Sequence, residues 1–159
     1  MTVACFLDTN VLIYAASQNP AETRKKKIAV DLIAGTSFGL SAQVLQEFYV
    51  VVTRKAEVPL EPAAALEWIE QLEVFPCAEI SPALVKLGAV MSQRYRISYW
   101  DGAILAAAES LGAPVVYTED LNHGQTYGAV RAVNPFLETG GADGFHETAR
   151  PYSRSEGAG

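Results

Sequence analysis

Cysteine is scarce in this chain. Cys5 and Cys77 stand far apart, which excludes a disulfide framework and a zinc site built on paired thiols. Both are expected to be buried thiols in a reducing cytoplasm. Histidine is equally rare: His123 and His146 are isolated and read as turn or tail surface. No apolar run reaches the ~18 to 20 residues of a membrane span, and the start Met1-Thr2-Val3 lacks the basic region of a secretion signal. A Gly-rich phosphate loop is missing, as is a nucleophile-elbow serine, and neither cysteine has a histidine close in sequence. There is no internal repeat.

What is present suits one folded domain. Half of the 159 residues are apolar and 19% are charged, well away from disordered compositions. The net charge of −6 argues against binding nucleic acid through a broadly basic surface. Basic residues are nevertheless grouped: Arg24-Lys25-Lys26-Lys27, Arg54-Lys55, and Arg94 with Arg96. The first group is a candidate phosphate track for RNA, and a solvated helix face is its plain alternative.

Strand and helix signals alternate along the chain. Apolar Val3–Leu7 reads as a buried parallel strand, and Ser37–Leu40 as a second. Helices are expected over Ala21–Ala34 with Gly35 as C-cap, and from the Ser41 cap to about Thr53. Another covers Ala63–Leu72, another follows Ser81-Pro82 to about Tyr95, and the last runs from Ser98 to Leu111, stopped by Gly112. Val74–Ile80, Pro114–Thr118 and Val130–Val133 complete the strands. Alternation of this kind implies an α/β fold whose parallel sheet is covered on both faces. Residues beyond Leu137 form a Gly-rich tail, expected to be mobile when alone, with Phe145 and Tyr152 as its large apolar side chains.

Four acids stand where apolar scaffold gives way to polar surface. Asp8 and Asp120 follow two strands, where open α/β sheets collect ligands. Glu47 lies on a helix near the edge of its apolar stripe, and Asp101 in a first helical turn, where the helix dipole favours an anion. Clustered carboxylates are costly without a compensating cation. An oxygen-only set suits Mg²⁺ or Mn²⁺ rather than zinc, and hydrolysis of a phosphodiester by water is the chemistry such a site supports. Singly, each acid has a bland reading as cap, exposed helix residue or loop residue, and Glu119 rivals Asp120 for the fourth position.

These residues resemble the PIN domain family, and within it the VapC-type toxins of bacterial toxin–antitoxin modules. The matching segments are Phe6-Leu7-Asp8-Thr9-Asn10-Val11-Leu12, Gln46-Glu47-Phe48-Tyr49, Ser98-Tyr99-Trp100-Asp101-Gly102-Ala103-Ile104 and Tyr117-Thr118-Glu119-Asp120-Leu121-Asn122-His123-Gly124. Asn134-Pro135-Phe136 is similar to the family's closing segment. The resemblance covers about residues 3 to 137 and implies a three-layer α/β/α sandwich with a mostly parallel central sheet, as a nuclease domain over 1–137 followed by the tail, 138–159. It further implies a metal-dependent endoribonuclease with Asp8, Glu47, Asp101 and Asp120 as catalytic acids. Asp8 and Asp101 would hold Mg²⁺ or Mn²⁺ most directly, Asp120 would complete the metal shell, and Glu47 would orient or deprotonate the attacking water. Asn10 and Thr118 would support them. The implied partners are an RNA substrate (tRNA or rRNA), a cognate antitoxin and a second copy of the chain in a homodimer. Gly102 departs from the usual alanine and is expected to loosen its helix by up to ~1 kcal/mol.

Two other readings are open. A phosphatase of the haloacid dehalogenase type also begins with an aspartate after strand one, but wants a general acid where this chain has Asn10. A PIN-like module that binds RNA or protein without catalysis would gain nothing from carboxylates that repel phosphate.

Overall fold

The computed structural model describes residues 2–138, so the expected tail lies, apart from Glu138, outside the described residues, with Phe145, His146 and Tyr152. Six strands form one sheet: β1 (Cys5–Leu7), β2 (Phe38–Ser41), β3 (Cys77–Ala78), β4 (Val115–Tyr117), β5 (Thr126–Tyr127) and β6 (Val130–Val133). Their order is β3-β2-β1-β4-β6-β5, parallel except for the β5–β6 pair. Cys5-Phe6-Leu7 is buried throughout, as a central strand covered on both faces must be.

The helices are α1 (Thr9–Ala16), α2 (Thr23–Gly35), α3 (Ala42–Val50), α4 (Pro62–Leu72), α5 (Pro82–Tyr95) and α6 (Tyr99–Ser110). α1 packs on α2 and α3, and α3 on α4, while α6 pairs with α5 and runs along β2, β4 and β6. The two sets make the expected α/β/α sandwich. All eight residues of α1 are buried, which makes it the helix around which the first layer is built. Serines start α3, α5 and α6 as anticipated: Ser41 accepts from Val44 N, Ser81 from Leu84 N and Ser98 from Asp101 N.

Gly102 has a packing reason. A Cβ there would lie 2.5 Å from the Gly88 carbonyl oxygen and 2.9 Å from Ser92 N, and one on Gly88 would lie 3.0 Å from Ala103 Cα. The α5–α6 crossing is therefore closer than alanine allows. The helix-loosening expected of Gly102 is outweighed by the contact it permits.

Other elements depart from expectation for local reasons. Gly35 ends α2 without a left-handed backbone, since Thr36 caps instead, its hydroxyl donating to Leu32 O at 2.7 Å. The Val74–Ile80 strand shrinks to Cys77–Ala78 because Pro76 lacks an N–H, although its carbonyl still accepts Leu40 N at 2.9 Å. α3 continues as a π-helical turn over Val51–Lys55. The Thr126–Tyr127 strand was not legible in advance; Gly128, at φ 61°, turns the chain back into β6.

Candidate active site

Parallel pairing of β1 with β4 sets Leu7 beside Tyr117, so Asp8 and Thr118 leave the sheet side by side. Asp8 N donates to Tyr117 O at 3.0 Å, which fixes this exit. The Asp8 carboxylate is fully buried. Its Oδ1 accepts Thr9 N at 2.7 Å, capping α1, and its Oδ2 accepts the Thr118 hydroxyl at 2.7 Å. The same hydroxyl accepts Asp120 N at 3.0 Å. Asn10 Nδ2 lies 3.4 Å from Asp120 Oδ2 and 3.5 Å from Thr118 Oγ1. One buried network thus joins two strand ends and the first turn of α1.

Glu47 enters from α3. Thr9 Oγ1 donates to its Oε2 at 2.8 Å, and Gln43 Nε2, one turn earlier on α3, donates to its Oε1 at 2.9 Å. Gln43 Nε2 also lies 3.3 Å from the Trp100 carbonyl, the residue before Asp101. The structure therefore links Asp8, Glu47 and Asp120 through neighbouring side chains. It carries the linkage to the first turn of α6, where Ser98 Oγ accepts Asp101 N at 3.1 Å. Thr9 and Gln43 hold the Glu47 carboxylate, a role sequence reasoning did not assign to either. The Gln43–Glu47 spacing of four was a visible helical signal. The Thr9–Glu47 bond had none.

Glu119, the rival for the fourth position, has partners of its own: its oxygens lie 3.2 Å from Lys25 Nζ and 2.5 Å from the Tyr14 hydroxyl.

The four residues of the basic run have different surroundings. Lys25 is buried and bound to Glu119 and Tyr14, so it does not face a ligand at the surface. Arg24 donates to Phe136 O at 2.7 Å and lies 3.6 Å from Glu138. Lys26 donates to Ser17 O, and exposed Lys27 pairs with Asp31 one turn along the helix. The helical period sends these four side chains to different sides of α2, which a run of like letters conceals.

Both cysteines are free. Cys5 is buried as expected, whereas Cys77 is half-buried on the edge strand β3. Burial pushes both thiols above their ordinary range; the Thr36 hydrogen bond opposes this at Cys5, and Glu79 and Glu73 add to it at Cys77. His123 is turn surface, its Nδ1 accepting Asn134 N at 3.0 Å.

The donors around the network are carboxylate, amide and hydroxyl oxygens, the chemistry of a hard divalent cation. Asn10 Oδ1 is a buried carbonyl oxygen with no hydrogen-bond partner among the described residues, an acceptor suited to an ion or its water. Among the described residues no three His, Cys, Asp or Glu side chains converge into a ready-made chelate. No helix among the described residues is long and apolar enough to cross a membrane.

Known structures share this architecture. VapC20 from Mycobacterium tuberculosis, a sarcin-ricin loop cleaving toxin, superposes with a TM-score of 0.60 at 20% identity, over 73% of this chain and 89% of its own. A toxin–antitoxin complex from Klebsiella pneumoniae matches with a TM-score of 0.59 at 20% identity, over 82% and 97%. DNA-bound VapBC from Salmonella typhimurium gives 0.57 at 19%, over 83% and 97%. No curated protein sequence matches significantly. The PIN domain family model, however, matches residues 5–129, a span that contains all four acids and both strand ends that carry them. This chain belongs to the PIN domain family.

Proposed function

We propose that the protein is a metal-dependent endoribonuclease that hydrolyses RNA phosphodiester bonds as the toxin of a toxin–antitoxin pair. The observation that carries this reading is the buried network linking Asp8, Thr118, Asn10 and Asp120, with Glu47 tied to it through Thr9. The fold neighbours support it, one being a toxin that cleaves the sarcin-ricin loop and others being toxin–antitoxin complexes.

Asp8 and Asp101 would hold the ion, with Asp120 and the Asn10 carbonyl oxygen reaching it directly or through water. Bound there, Mg²⁺ or Mn²⁺ would acidify water and stabilise charge on a phosphoryl oxygen. Glu47, held at both oxygens by Thr9 and Gln43, would orient the attacking water and take its proton. Thr118 holds Asp8 and the Asp120 backbone in register, so the acids meet substrate with little reorganisation. A cognate antitoxin and a homodimer belong to the same reading, and exposed Val85, Leu87 and Val90 on α5 supply apolar surface for the latter.

A second reading is a PIN module that binds RNA without cutting it. Incubation of total cellular RNA with purified protein and Mn²⁺ or Mg²⁺ separates the two. Discrete fragments that vanish with EDTA, with Asp8→Ala and with Asp101→Ala are expected of the nuclease. Intact RNA that is bound by the protein would leave the module.

A further inference from the structure

Lys25 and Glu119 form an ion pair at 3.2 Å with side-chain exposures of 6% and 4%. Tyr14 closes the triangle: its hydroxyl donates to Glu119 Oε1 at 2.5 Å and lies 3.2 Å from Lys25 Nζ. Aromatic rings cover the cation, with Nζ 4.8 Å from the Tyr14 centroid and 5.8 Å from that of Phe136. Those two rings meet edge to face at 4.9 Å. A buried pair of this kind is seldom a net source of stability, because desolvation offsets the attraction. What it does supply is fixed geometry. α1 contributes Tyr14, α2 Lys25 and the closing segment Phe136, and all converge on the residue between Thr118 and Asp120. The Thr118 hydroxyl is held by Asp8 on one side of the backbone, and the Glu119 carboxylate by Lys25 and Tyr14. Anchored at two successive side chains, the segment leads into Asp120 with its carboxylate 3.4 Å from Asn10 Nδ2.

We propose that Lys25, Glu119 and Tyr14 form a positioning clamp that sets the Asp120 carboxylate for the divalent ion of the site. The inference rests on the nuclease reading and gives Lys25 a task other than phosphate binding. Partners behind a metal ligand commonly govern about 10- to 100-fold of metal affinity.

The test is Mn²⁺ titration by calorimetry on full-length protein, with thermal melts in EDTA. The variants are the apolar replacement Lys25→Met with Glu119→Leu, the shape-conserving Glu119→Gln, Asp8→Asn, and Leu72→Ala as a core lesion on α4. The double variant is expected to melt cooperatively near wild type yet bind Mn²⁺ about tenfold or more weakly. Leu72→Ala is expected to melt lower with Mn²⁺ affinity unchanged. If the double variant does not melt cooperatively, Glu119→Gln is judged by the same criterion. Wild-type affinity in the clamp variants overturns the proposal, as does an equal loss in Leu72→Ala, which would tie affinity to stability alone. Equal Mn²⁺ binding by wild type and Asp8→Asn overturns the nuclease reading and the clamp with it. Asp8-dependent binding that ignores the clamp variants overturns the clamp only.

Discussion

Thr118 donates its hydroxyl proton to Asp8 Oδ2 at 2.7 Å across 110 positions of sequence, and the Thr118 hydroxyl oxygen accepts Asp120 N at 3.0 Å. A single hydroxyl thus orders the ends of two central strands. Thr118→Val keeps the shape and strips a hydrogen bond from a buried carboxylate. Urea unfolding should show a loss of about 1.5–3 kcal/mol, the usual worth of a hydrogen bond to a charged group. Thr118→Ser should recover most of it. Equal stability of all three would show that the bond orders nothing.

Divalent ions should stabilise the protein through this site. At a hundredfold excess over Kd, Mn²⁺ should add about 2.7 kcal/mol, read as a rise in Tm. Asp8→Asn should lose that rise. Matching rises in both proteins would place the ion elsewhere.

Gly102→Ala decides between helix propensity and packing. Propensity alone favours alanine by up to ~1 kcal/mol. The Cβ would meet Gly88 O at 2.5 Å, and overpacking of this kind costs about 1–3 kcal/mol. A lower Tm is expected for Gly102→Ala, whereas a higher one would mean that α5 yields easily.

Opposite outcomes are expected within one basic run. Lys25→Glu sets a like charge against Glu119 in a buried place and should cost about 3–5 kcal/mol or abolish folding. Lys27→Glu disturbs an exposed pair, 79% and 67% accessible, and should move stability by about 0.5 kcal/mol at most. Chemical denaturation of the two variants compares them directly.

Thiol chemistry should report the fold. Because burial raises both thiols, labelling by a disulfide reagent at neutral pH should be slow at half-buried Cys77 and nearly absent at Cys5. It should become fast at both in denaturant. A folded-state pKa above the unfolded value makes stability fall as pH climbs past the unfolded value of ~8.5. Rapid labelling of native Cys5 would contradict its burial.

Much of the scaffold was legible because short-range chemistry writes it. Apolar Cys5-Phe6-Leu7 and Val115-Val116-Tyr117 announce buried strands, Ser41, Ser81 and Ser98 announce helix starts, and an acid just past a strand announces the ligand end of the sheet. The same logic failed at Val74–Ile80, where Pro76 limits pairing, and at Thr126–Tyr127, where two residues carry too little pattern.

By itself the sequence determined which residues lie at strand ends and helix starts, because each such choice depends on a few neighbours along the chain. Only the tertiary structure decided which of them meet. Thr9 reaches Glu47 across 38 positions because α1 crosses α3. Lys25 turns inward to Glu119 while Lys27 faces water, and Gly102 is required because α5 lies against α6. These relations follow from strand order and helix crossing, which set distances that no local run of residues encodes.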